Sequence, residues 1–107
     1  MLSLGYDIGS SAIKCAIIDC ETGRTVAHGS CPAEEMEIRS PKPGWAEQDP
    51  ETWWDYVVVL TNRLIHENAI DPARITAIGI SYQMHGLVLV DEQQRVVRPS
   101  IIWCDSR

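Results

Sequence analysis

An acidic residue closing an apolar strand, then a glycine, two hydroxyls and a lysine, is the string in this chain best suited to chemistry. It runs Asp7-Ile8-Gly9-Ser10-Ser11-Ala12-Ile13-Lys14. Without a side chain, Gly9 lets a phosphate approach the backbone closely. The amides and hydroxyls of Ser10 and Ser11 can donate to phosphate oxygens. Asp7 can hold Mg²⁺, usually through water, and Lys14 can offset phosphate charge. The loop is not a Walker A motif, because the GxxxxGK[ST] pattern is absent. The plainer alternative is an ordinary hairpin turn with a solvated lysine, since short Asp-x-Gly-Ser strings are common.

Three further clusters carry polar or aromatic groups. Gln83-Met84-His85-Gly86 follows the apolar run Ala77 to Ser81. Polar residues at a strand end, before a glycine, often build a ligand wall. Gln83 and His85 can hydrogen-bond hydroxyls, and Met84 can pack on the apolar edge of a sugar. A strand bulge with a structural histidine is the competing reading. Trp45, Trp53 and Trp54 could form a stacking platform, although tryptophans opening an amphipathic helix are more often core. In Trp103-Cys104-Asp105-Ser106-Arg107, Asp105 and Arg107 either meet hydroxyls or phosphate of a ligand, or are solvated or paired with each other.

The elements that must position these groups follow from periodicity. Residues 3–8, 12–18 and 24–29 read as strands joined by turns, the last pair as an antiparallel hairpin. Residues 30–48 form a long connection in which Pro32, Pro41 and Pro43 disfavour a helix, while part of it can pair at a sheet edge. Asp49-Pro50-Glu51 is a strong helix start, with Asp49 as cap. Trp53, Val57, Leu60 and Leu64 recur at helical spacing, widened by Trp54, Val58 and Ile65, so the helix is expected to run to about Glu67. A strand is expected over 76–81, a hairpin over 87–98 and a last strand over 101–103. One helix cannot cover both faces of such a sheet.

The 107 residues are 45% apolar with a formal net charge of −6, which excludes a disordered chain and offers nothing to nucleic acid or an anionic membrane. No apolar stretch approaches the ~20 residues of a membrane span, and Met1 to Ile8 is too short and lacks the basic flank of a leader. Cys15, Cys20, Cys31 and Cys104 match no zinc spacing and read as free thiols of a reducing compartment. A cytoplasmic protein is expected.

Taken in order, GYDIGSSAIK, PGWAEQDPETWW, AIGISYQMHG, VDEQQRVVRP and IIWCDSR resemble the FGGY carbohydrate kinases, and among them those of the xylulokinase type. The resemblance covers essentially the whole chain. QMHG and PGWAEQDPETWW are its specific parts, since DxGSS alone points only to the wider actin-like ATPase superfamily. It implies an α/β fold with a ribonuclease-H-like (actin-like ATPase) mixed sheet. Residues 1–107 would be the incomplete N-terminal part of the first of two domains, the second being absent.

It also implies ATP and Mg²⁺ as cofactors and a sugar as the small-molecule partner, most of all D-xylulose, with ribulose, gluconate, glycerol or a deoxy-sugar as alternatives. Asp7 matches a residue important for activity beside metal and phosphates. Gly9, Ser10, Ser11 and Lys14 match phosphate-side positions, and Met84 and His85 match the pair that contacts the ketose. Gln83 and Asp105 are carried with the sugar side, as is Trp103. The family's general base, an aspartate, and its adenosine-binding segments match nothing here, so residues 1–107 alone are expected to be inactive. A homodimer of the full-length protein is left open. A non-catalytic actin-like ATP-binding module is the rival class, against which QMHG argues.

Overall fold

A computed structural model describes all 107 residues. The first three strands form an antiparallel meander: β1 (Leu2–Ile8), β2 (Ile13–Asp19) and β3 (Thr25–Cys31). Alternation drives it. Leu2, Leu4 and Tyr6 on β1 and Ile13, Cys15 and Ile17 on β2 all turn to one buried face. The β1–β2 turn closes when the Gly9 amide donates to the Ala12 carbonyl at 3.1 Å. A Cβ on Gly9 would stand 3.1 Å from that same carbonyl, so the turn favours glycine.

After the proline-bearing connection comes β4 (Glu47–Gln48), then helix α1 (Pro50–Glu67). The Asp49 side chain accepts from the Glu51 amide at 3.0 Å, and Pro50 occupies the first turn. Leu60 and Leu64 are buried, and α1 lies on β2 and β3. The wider apolar stripe read from the spacing does not all become core. Trp54 is 64% exposed, because α1 sits to one side of the sheet and leaves that edge of the helix uncovered.

A short 3₁₀ turn (Pro72–Arg74) leads into β5 (Ile75–Tyr82), which pairs parallel to β1. The sheet order is therefore β3-β2-β1-β5, a mixed sheet with one helix on one face. The α/β mixed sheet expected above is thus present. β6 (Ser100–Ile101) pairs antiparallel with β4 as a separate small ladder. The hairpin expected over 87–98 forms only partly. One isolated bridge joins Val90 and Val96, around a turn whose Asp91 carboxylate accepts from the Gln93 and Arg95 amides. The first arm turns to another partner instead: Leu87 bridges Ile101 of β6, its amide donating to the Ile101 carbonyl at 2.9 Å. All four cysteines are free thiols, with Cys15 and Cys31 buried.

Candidate functional site

Parallel pairing of β1 and β5 brings their carboxyl ends to the same edge of the sheet, where open α/β sheets commonly bind ligands. Asp7 lies opposite Lys14 across the β1–β2 pair and opposite Ser81 across the β1–β5 pair. Asp7 and Lys14 are both exposed. Directly beyond β5, the Gln83 amide donates to the Ile8 carbonyl at 2.8 Å. The segment Gln83 to Gly86 is thereby tied to the residue before Gly9. The two clusters thus meet at one strand end, but their side chains line separate hollows: Asp7 and Lys14 one with His28 and Ser30, Gln83 and His85 another with Ile8 and Trp53.

The Gly9-Ser10-Ser11 turn has donors to spare. Ser10 and Ser11 offer carbonyls to the chain, to Gln48 and Met36 respectively, while their amides bond to no protein acceptor. The Ser10 hydroxyl accepts from the Trp103 indole at 3.1 Å. The Gly9 amide, by contrast, is committed to Ala12. Free amides, an exposed carboxylate and a facing lysine fit a phosphate ester. No group of three His, Cys, Asp or Glu side chains gathers into a metal cluster, and Asp7 is the exposed carboxylate at this turn that could ligate a cation.

On the other side, Met84 is 65% exposed, and His85 is also exposed with φ 64°. A left-handed histidine before a glycine is an uncommon backbone that holds the loop turned out from the strand. Gln83 behaves differently from its neighbours. Its Nε2 turns inward to the Gln48 Oε1 at 3.4 Å, and its own Oε1 is buried with no partner.

Asp105 is engaged within the chain. Its Oδ2 accepts from the Ala46 amide at 2.7 Å, and Arg107 reaches it through Nε and Nη2 at 2.8 and 2.6 Å. Hydrogen bonding from that guanidinium holds the carboxyl well below the usual range. Arg107 also bonds Glu47 at 2.9 Å and lies 3.6 Å over the Trp45 ring. Arg98 bonds the same Glu47 oxygen at 2.6 Å. Trp45 is therefore neither a platform for a ligand nor core, but the face on which Arg107 rests. Trp53 is half-buried and gives its indole N–H to Gln48.

Gln48 and Glu47 are the polar residues that sequence reading passed over, both at most 5% exposed. A neutral amide and a glutamate just before a helix cap carry no spacing signal. Only their occurrence inside PGWAEQDPETWW set them apart.

The model of the FGGY family of carbohydrate kinases, N-terminal domain, matches residues 2–107. The xylulose kinase of Escherichia coli (strain K12) is 38% identical over 104 residues, which is 97% of this chain and 20% of that protein. A crystal structure of a xyloylose kinase from Brucella ovis superposes with a TM-score of 0.87 at 39% identity, covering 100% of this chain and 22% of that one. The gluconate kinase of Lactobacillus acidophilus follows at 0.83 and 32%, covering 97% of this chain and 20% of that one. The chain spans about one fifth of the length of the curated relatives it matches. On its sequence, its mixed sheet and its match over residues 2–107, the chain belongs to the FGGY family of carbohydrate kinases.

Proposed function

We propose that residues 1–107 form the N-terminal part of the first of two domains in an ATP-dependent sugar kinase. The reaction is transfer of the γ-phosphoryl group to a hydroxyl of a ketopentose, D-xylulose before other sugars. The observation that carries this is the bond from the Gln83 amide to the Ile8 carbonyl, which seats the Asp7 turn and the Met84-His85 loop at one strand edge. Phosphate donor and hydroxyl acceptor must meet within about 3–3.5 Å to react, so their binding groups must share an edge.

Bound Mg²⁺–ATP supplies the phosphoryl group. Ser10 and Ser11 present unpaired amides to phosphate oxygens, and Gly9 keeps the turn narrow enough for close approach. Asp7 would hold the cation, and Lys14 would offset phosphate charge on the same side. Met84 packs on the sugar's apolar edge, while His85 and Gln83 are assigned to its hydroxyl side. Asp105 has both oxygens engaged by Ala46 and Arg107 and so has little left for a sugar hydroxyl. The base that takes the hydroxyl proton is assigned to a carboxylate outside residues 1–107.

The test is ADP release by the full-length protein with a panel of D-xylulose, D-ribulose, gluconate and glycerol. D-Xylulose is expected to give the highest kcat/KM. Gluconate is the main competitor, because a gluconate kinase is among the structures this chain resembles. Asp7→Asn is expected to lower kcat by roughly 100-fold or more, the scale of losing one preorganised electrostatic group. Met84→Ala and His85→Ala should raise KM for the sugar and leave KM for ATP in place. ADP release with none of the four sugars would sink the reading. So would measurable D-xylulose phosphorylation by residues 1–107 alone, which are expected to show no turnover.

A further inference from the structure

One buried side chain is bonded to both halves of the proposed site. Gln48 is 3% exposed and sits on β4, just before the α1 cap. A carboxamide has two N–H donors and two acceptor lone pairs. Gln48 uses all four. Its Nε2 donates to the Ser10 carbonyl at 2.6 Å and to the Glu37 carbonyl at 3.3 Å. Its Oε1 accepts from the Trp53 indole at 3.1 Å and from the Gln83 Nε2 at 3.4 Å. Two carbonyls on one side and an indole N–H on the other allow a single orientation of the amide.

The partners come from four different segments. Ser10 belongs to the phosphate-side turn, and Gln83 opens the sugar-side loop. Trp53 fixes the first turns of α1, and Glu37 lies in the long connection. Because every polar capacity of Gln48 is spent inside the chain, it has none left for a ligand. A shift of the Ser10 turn pulls the same amide that holds Gln83, so the two loops cannot relax independently without leaving a buried group unpaired.

We propose that Gln48 is a positioning residue that holds the phosphate-side turn and the sugar-side loop in fixed relation, so that filling one prepares the other. This rests on the kinase reading above. Coupling between two ligands typically amounts to roughly 5- to 150-fold in affinity. Gln48→Ala removes all four bonds. Gln48→Glu keeps the size and the acceptors, but sets a carboxylate against two carbonyls. Trp53→Phe removes one donor while keeping the packing of α1.

The experiment is isothermal titration of the full-length protein with a non-hydrolysable ATP analogue, with and without the sugar that the wild type phosphorylates. Kinetics and thermal melting are followed in parallel. In the wild type, sugar is expected to tighten analogue binding about tenfold, within the ordinary range of such couplings. In Gln48→Ala and Gln48→Glu that factor should fall to near one, and kcat should fall more than either KM rises. Trp53→Phe, the variant safest for folding, should lose part of the factor while the protein still melts cooperatively, at a melting temperature lowered by a few degrees. A factor absent in an active wild type, or intact in Trp53→Phe and in whichever Gln48 variants fold, overturns the proposal. A wild type that phosphorylates no sugar instead removes the reading on which it rests.

Discussion

Arg107 closes on Asp105 with its Nε and Nη2 and lies flat over Trp45, so one guanidinium joins the last residues to the β4 segment. The bond from Arg107 is the main cause that holds the Asp105 carboxyl below its ordinary value, and the amides of Ala46 and Arg107 add to it. The sign of the consequence is fixed. A carboxyl with a depressed folded-state pKa stabilises the fold above its unfolded value, about 3.9, and that stability drains away as pH falls below it. We therefore expect Asp105→Asn to be less stable than wild type at pH 7, with the gap narrowing from about pH 5 down to about pH 2 and most steeply below about 4. Urea midpoints measured across that range check it, and parallel curves would remove the pair from any role in acid stability. The pairing of Asp105 with Arg107 was one of the readings the sequence left open, and the structure decides it. The Ala46 contact, 59 residues away, was not among them. Nor was Gln48, whose four partners meet only once the chain has folded.

Helix α1 was legible nearly to the residue. Its cap, its first-turn proline and its acidic first turn are local signals that need no tertiary context. Asp49→Ala is expected to cost about 1 kcal/mol in urea denaturation, the usual value of an N-cap bond. The same spacing that found the helix placed Trp54 and Leu60 in one apolar stripe, and there the structure separates them. Leu60 is 0% exposed and Trp54 is 64% exposed. Leu60→Ala should then cost ~2–5 kcal/mol, the range for emptying a packed site. Trp54→Ala should stay within about 0.5 kcal/mol. Equal losses at the two positions would mean that α1 is seated differently on β2 and β3. The 87–98 hairpin shows the opposite limit of sequence reading. Its turn chemistry was correct, with Asp91 bonding two amides, but strand pairing depends on neighbours that no local pattern reveals.

At the scale of the molecule, α1 covers β2 and β3, while β5 continues the same face with nothing upon it. Ile78, Ile80 and Tyr82 are each about 60–70% exposed on that face. With Trp54 and Val58, Ile78 and Ile80 border an apolar groove of about 480 Å³ between α1 and β5. The sequence reading anticipated a shortage of cover from its count of one helix, but not which strand would stay bare. Two opposing forces follow for residues 1–107 in solution. Apolar area favours association of copies, while a formal net charge of −6 at pH 7 keeps them apart. Salt screens the second force and leaves the first in place, since the Debye length falls from about 10 Å at 0.1 M to about 3 Å at 1 M. Lowering the pH toward the pI near 4.9 removes the charge itself. Sedimentation velocity should therefore show association rising with salt at pH 7 and rising again toward pH 5. Ile78→Thr with Ile80→Thr keeps β-branched residues in the strand while breaking the patch, and should suppress both responses. If the double variant associates as strongly as the wild type, the bare face of β5 is not the adhesive surface, and the open polar face carrying Asp7 and Lys14 becomes the one to test.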